Sequence, residues 1–258
     1  MAAERWTENE TKLALFLYFQ LPFGKLDRRT PEIIQLADAI GRTHSSVAMK
    51  LSNFASLDPK ITESGRKGLD GASKLDRQIF EKFVNDWSGL VEECERKWND
   101  IIANNSGSSF REAGTPFQFQ AYNGPTSEER LVDQRIGQSF FRKSVLANFG
   151  ERCCITGIAD PQLINASHIV PWAEDLDNRV NPRNGIALSP TLDRAFDRGF
   201  MTIDAAGTVI ISDKFMQRSD EMTRNYFSAY DRKTITPPMK IQLDPKLLEW
   251  HMTERFEN

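Results

Sequence analysis

The feature that most limits what this chain can fold into is a change of character near its middle. The stretch "ANNSGSSFREAGTPFQFQAYNGPTSEE", residues 103–129, is small, polar and punctuated by Gly and Pro. That is the composition of a connection rather than of a packed element. The residues before it place apolar side chains at helical spacing; those after it mix helical patterns with short alternating runs. The break predicts an α+β chain of two domains, a helical one at 1–105 and a mixed one at 128–258, with a linker at 106–127. Within the linker, "FQFQAY" reads as a short extended piece able to pack on a neighbour. A length of 258 residues accommodates two modest domains.

The helical part is well punctuated. In "TENETKLALFLYFQ", Thr7 is an N-cap candidate and Glu10, three residues on, completes a capping box. Pro22 and Gly24 close that helix. "TPEIIQLADAI" has Thr30 as cap, Pro31 at the first helical position and Gly41 as terminator. "THSSVAMKLSNFASL" begins a third helix after Thr43. "DPKITESGRKGLDGAS" reads as a loop or small wing, and residues 73–102 as a long helix or a helix pair broken near Gly89.

"IIQLADAIGRTHSSVAMKLSNF" places Leu36, Ala37 and Ile40 inward on one short helix, lets Gly41 turn, and places Val47 and Leu51 inward on the next. Arg42, His44, Ser45, Ser46, Met49, Lys50 and Asn53 are left as outward groups. This resembles a helix-turn-helix, and with "RWTENETKLAL" before it a Myb-type three-helix unit. The resemblance implies DNA contacts from Arg42, His44, Ser45 and Lys50, with the second helix of the pair in the major groove. A plain helical bundle with a Gly turn is the alternative. His44 reads as a phosphate or solvent contact rather than a metal ligand.

Composition narrows the classes. A net charge of −3 gives no global basic balance, so nucleic-acid binding would have to rest on local patches. Three cysteines, with Cys153 and Cys154 adjacent, make neither a disulfide framework nor a CxxC zinc pair; with Cys94 they read as buried thiols. The polar "MAAERWTENE" is not a secretion signal, and "LALFLYFQLPF" is too short to span a bilayer. The expectation is a cytoplasmic protein with no membrane partner.

The chemistry concentrates in residues 163–200. "LINASHI" is a short β-type run with His168 near its end, and an imidazole suits general-base work near neutral pH. "SPTLDRAFDRGF" reads as a helix with Ser189 as cap and Pro190 first. Asp193 and Asp197, at i and i+4, then lie on one helical face. Read alone, a single His is a core residue and such an Asp pair a solvated face; Arg194 and Arg198 could pair with those carboxylates or with phosphate. Arg179 and Arg183 are candidate phosphate contacts. Trp172 belongs to core or rim. "FMTIDAAGTVIIS" reads as a hairpin turning at Ala206–Gly207, and "PKLLEWHMTERF" as a final helix in which His251 has no evident partner.

In order and spacing this region resembles the HNH endonucleases of the ββα-metal fold, and with "FRKSVLANFGERCCITG" upstream their restriction-type subfamily. The likeness runs over about residues 130–213. Ser167-His168-Ile169 matches the ligand–His pair at a strand end. Asn184 takes the place of the loop Asn, and Asp193 that of the final ligand nine residues later; Asp197 follows one turn on, a spacing used by colicin-type members. The resemblance implies His168 as the base activating water and Asn184 as the residue fixing the loop. Asp193, Asp197 and, weakly, Ser167 would be metal ligands. An oxygen-rich set suits Mg²⁺ or Mn²⁺ better than Zn²⁺. The chain departs from the pattern where Ser167 replaces the usual Asp or His and Asp193 the usual His. It also has Gly157, Ser189 and Leu192 where zinc-holding relatives have Cys, so no structural zinc is expected. The implied function is a metal-dependent endonuclease acting on double-stranded DNA in bacterial restriction or genome defence, with a homodimer as one assembly. The alternatives are a catalytically inactive HNH-fold DNA-binding regulator and an RNA nuclease.

Overall fold

The computed structural model describes residues 5–58, 61–62, 68–105 and 128–257. The expected linker, "FQFQAY" included, and part of the expected wing lie outside the described residues. The chain is an α+β protein: helices dominate, and two small antiparallel sheets sit in its second half.

Among the described residues the first half carries the helices α1 (Glu8–Gln20), α2 (Pro31–Ala39), α3 (His44–Ala55), α4 (Lys74–Asn85) and α5 (Trp87–Asn105). The capping box at α1 is present, with Thr7 Oγ1 accepting from the Glu10 amide and Glu10 accepting from the Thr7 amide. Thr43 caps α3 with one bond, its Oγ1 accepting from the Ser46 amide. Thr30 precedes α2, but its hydroxyl donates back to the Lys25 carbonyl at 2.6 Å instead of capping the helix. The expected pair at 73–102 breaks near Gly89, at Asp86; the Asp86 carboxylate accepts from the Gly89 amide and so starts α5. Every residue of α1 from Leu13 to Phe19 is buried. A helix apolar on all sides must be covered on all sides, and α1 packs on α2, α3, α4 and α5.

Two of the expected outward groups turn inward. Lys50 is 6 % exposed. Its ammonium bonds the buried Asp76 at 2.7 Å and lies over the Trp6 ring. Arg42 pairs with Glu10 at 2.9 Å and also covers Trp6. The cause is α4: Asp76, fixed as the third residue of a capping box with Ser73, meets the face of α3 that carries Lys50. The expectation that Lys50 faces a nucleic acid is therefore corrected.

The second half begins with α6 (Glu128–Asn148), followed by β1 (Asn165–His168), β2 (Gly185–Leu188) and α7 (Pro190–Asp197). β1 and β2 pair antiparallel, Asn165 opposite Leu188 and His168 opposite Gly185. The expected hairpin follows as β3 (Met201–Ile203) and β4 (Val209–Ile211), turning through Gly207 at φ +82°. Two short helices, α8 (Asp213–Arg218) and α9 (Glu221–Ser228), precede the tail helix α10 (Pro245–Trp250) and a π-helical turn at His251–Arg255. His251 has partners after all. It is bonded to Thr202 at 3.0 Å and to the Phe196 carbonyl at 3.1 Å, and it stacks on the Phe196 ring, fastening the tail to α7.

The two halves meet on α6. Phe140, fully buried, stacks on Phe16 of α1 at 4.9 Å and touches Phe83 and Trp87. Phe141, the next residue, belongs to the core of the second half. Lys240 adds a polar tie: its buried amine donates to the carbonyls of Tyr18 and Leu21 at the end of α1. Burial pushes that amine down to about 7, against the pull of Asp58. Replacing Phe140 with Ala is expected to destabilise the chain by about 3–5 kcal/mol, the usual range for a fully buried Phe, in denaturant unfolding. A loss well under that range would mean that the halves do not share this core.

Candidate active site

β1, β2 and α7 form the frame expected around His168, and the structure sets it against α6. At Gly185 an added Cβ would lie 2.3 Å from Val145 and 2.8 Å from the Phe141 ring. Only glycine lets β2 approach α6 this closely. The approach brings Phe141 under His168, the two rings stacked 3.7 Å apart and nearly parallel. Trp172 meets the imidazole edge-on at 5.6 Å.

Asn184 ends the loop between the strands and is fully buried. Its Oδ1 accepts from the Val170 amide at 2.8 Å; its Nδ2 donates to the carbonyls of Val170 and Asn178 at 3.1 and 3.2 Å. The loop so held carries Arg179, whose carbonyl accepts from His168 Nε2 at 2.9 Å. A carbonyl can only accept, so Nε2 bears the ring proton and Nδ1 keeps its lone pair. Among the described residues Nδ1 has no hydrogen-bond partner. Burial lowers the His168 pKa, opposed by the Arg179 bond and the charge of Asp193. The imidazole is therefore neutral at neutral pH and able to take a proton.

His168, Asp193, Asp197 and Ser167 line one cleft of about 520 Å³, together with Trp172 and Arg142. Asp193 accepts from Asn165 Nδ2 at 2.7 Å. Burial raises the Asp197 pKa, as does the neighbouring charge of Asp193, while Arg255, Arg194 and Arg198 lower it. A carboxylate whose ionisation is opposed by burial and by a neighbouring carboxylate suits a cation. Ser167 is 3 % exposed and its buried Oγ has no hydrogen-bond partner among the described residues. These oxygens are the groups that could hold a metal. Among the described residues no group of three or more His, Cys, Asp or Glu is placed to hold one. A two-carboxylate set fits an ion that keeps several waters, as Mg²⁺ does, better than one needing a full protein cage.

The other candidates are spread more widely. Arg179 Nε donates to the Trp172 carbonyl and its guanidinium lies over that ring. Arg183 lies 3.7 Å from Asp244 near the tail helix. Arg194 and Arg198 are exposed on α7. His44, bonded to Asp38 at 3.0 Å, and Ser45 line a hollow of about 530 Å³ at the N-terminus of α3 with Arg28 and Arg29. Sequence reasoning missed those two arginines, although "RRT" stands just before α2. It also missed Asn165 and Arg142. Arg142 donates to the carbonyls of Ile164 and Pro161 beside the cleft. Neither has a spacing that ties it to the motif; packing alone brings them there. Cys94, Cys153 and Cys154 are buried free thiols, and Cys153 Sγ accepts from the Ser189 amide at 3.3 Å.

Among the described residues no helix is long and apolar enough to cross a membrane. No curated protein matches the chain. Residues 153–204 match the family model HNH_2, described as HNH endonuclease. That segment holds β1, Asn184 and α7; its similarity to HNH endonucleases supports a nuclease-type function for the cleft.

Proposed function

We propose that the chain is a divalent-metal-dependent endonuclease that hydrolyses phosphodiester bonds of double-stranded DNA. The observation that carries this reading is the 2.9 Å contact of His168 Nε2 with the Arg179 carbonyl, which leaves Nδ1 without a hydrogen-bond partner among the described residues, in a cleft shared with Asp193 and Asp197. In this reading His168 Nδ1 takes the proton from the attacking water. Nε2 stays bonded to the Arg179 carbonyl, so the ring does not turn as it becomes charged. Asp193 and Asp197, with Ser167 at the margin, would hold the cation, which when bound supplies charge stabilisation at the phosphate and leaving oxygen. Asn165 orients Asp193. Arg142, Arg194 and Arg198 would offer phosphate contacts, Arg179 and Arg183 as well.

DNA approach is assigned to the α2–α3 pair. With Lys50 turned inward and Arg42 paired to Glu10, the contacts fall on Arg28, Arg29, His44 and Ser45 at the α3 N-terminus. There the helix dipole favours phosphate. The two-domain division at 106–127 belongs to the same proposal. A role in restriction or genome defence follows only by analogy with HNH nucleases.

A second reading, an inactive HNH-fold DNA-binding regulator, is favoured by one observation: the described residues contain no metal-ready trio. Two experiments separate the readings. His168→Ala is expected to lower duplex cleavage in Mg²⁺ or Mn²⁺ by at least about 10²-fold, the usual loss for a general base, in a variant that still folds, with a melting temperature lowered by loss of the stack on Phe141; full turnover by the folded variant overturns the role. In thermal melts, metal is expected to raise the wild-type midpoint and to raise those of Asp193→Asn and Asp197→Asn less, because only binding to the folded state stabilises it. In chelator Asp197→Asn should be no less stable than wild type, since it relieves a carboxylate whose ionisation the fold opposes. An equal metal response in all three proteins removes the pair as ligands.

A further inference from the structure

The helical half and α6 enclose a second cavity, of about 460 Å³, within the range of sites for small organic ligands. Leu13 and Leu17 of α1 and the rings of Phe16 and Trp98 form its apolar wall. Glu95 of α5 is set into that wall. It is 8 % exposed, and its Oε2 is buried with no hydrogen-bond partner among the described residues. Buried carboxyl oxygens are normally bonded, and nothing in the cleft chemistry uses this one. Gln35 of α2, Asn99 of α5 and Ser139 of α6 place further polar groups on the lining.

The charged groups facing Glu95 nearly cancel. Lys143 comes from α6 and Glu32 from α2, while Lys25 and Glu151 pair with each other at 2.6 Å. α1 contributes no titratable group to the lining. Such a surface selects against a phosphate or a polyamine. Burial raises Glu95 to about 8, although Lys143 opposes the shift. At pH 7 the carboxyl therefore keeps its proton and is both donor and acceptor.

We propose that this cavity binds a neutral heterocyclic base through an edge that carries an amino group beside a ring nitrogen, as adenine and cytosine do, with Glu95 pairing to that edge. The carboxyl O–H donates to the ring nitrogen and the carbonyl accepts from the amino group; Phe16 and Trp98 supply the apolar contact that bases favour. The base can come from a free nucleoside or from a nucleic-acid strand. The site adjoins the nuclease-like cleft through one helix: Ser139, Lys143 and Leu146 of α6 line the cavity, whereas Gln138, Phe141 and Arg142 line the cleft.

Calorimetric titration of the full chain with adenosine, cytidine and a short single-stranded adenine oligonucleotide tests this. Saturable binding of a nucleoside is expected, with N6,N6-dimethyladenosine and ribose weaker by at least about tenfold because the donor edge is gone. Affinity should fall as pH rises through about 8, where Glu95 ionises. Glu95→Gln, whose amide offers the same donor–acceptor pair, should bind without that pH dependence, and Glu95→Met should lose binding while remaining folded. Binding of the oligonucleotide alone assigns the base to a strand only where Glu95→Met abolishes it; oligonucleotide binding that Glu95→Met retains belongs to the cleft or the α3 N-terminus and overturns the site. Absence of saturable binding by all three probes overturns the proposal. So does undiminished binding by Glu95→Met, or, should that variant not fold, an unchanged pH profile in Glu95→Gln.

Discussion

The buried side chain of Asn184 is the interaction on which the candidate site depends. One amide closes three hydrogen bonds, to both backbone groups of Val170 and to the Asn178 carbonyl, within a loop that has no strand of its own. The backbone adds a fourth, from the Ile169 amide to the Asn184 carbonyl. A buried loop must satisfy its polar groups locally, and here the satisfaction is also positional. Fixing residues 170–178 fixes Arg179, whose carbonyl in turn decides which nitrogen of His168 carries the proton. A residue that never touches the cleft thereby sets the chemistry of one that does.

Packing supplies the other half of the arrangement. Gly185 allows α6 to come within contact of β2, and the ring of Phe141 then covers one face of the imidazole. Burial there disfavours the charged ring, which keeps it a base near neutral pH, while Asp193 limits the shift. The same helix presents Phe140 to the opposite core. A single turn of α6 thus connects the support of the cleft to the helical half, and Lys240 repeats the connection through polar groups. The cleft and the Glu95 cavity accordingly sit on two faces of one element.

What could be read from the sequence was whatever is local. The capping box at Thr7–Glu10, the β1 and α7 patterns, the turn at Gly207 and the order of His168, Asn184, Asp193 and Asp197 all depend on neighbours within a few residues or on an order of residues similar to that of HNH endonucleases. What failed depended on distant partners. Lys50 looks like a solvent-facing residue of α3 until α4 brings Asp76 against it. Thr30 has the right position for a cap, but the Lys25 carbonyl competes for its hydroxyl. Asn165, Arg142 and Phe141 join the site only because α6 and α7 converge on β1, and His251 finds Thr202 only because the tail folds back. No period or spacing in the chain encodes these meetings.

The proposed activity requires His168 to stand as a neutral base with its proton on Nε2 and its lone pair on Nδ1. With only three histidines in the chain, ring ¹⁵N resonances of His168 can be assigned by comparison with a His168→Ala sample and followed near neutral pH. A protonated, pyrrole-type Nε2 and an unprotonated, pyridine-type Nδ1 are expected. A proton on Nδ1, or an imidazolium at that pH, would contradict the proposed role.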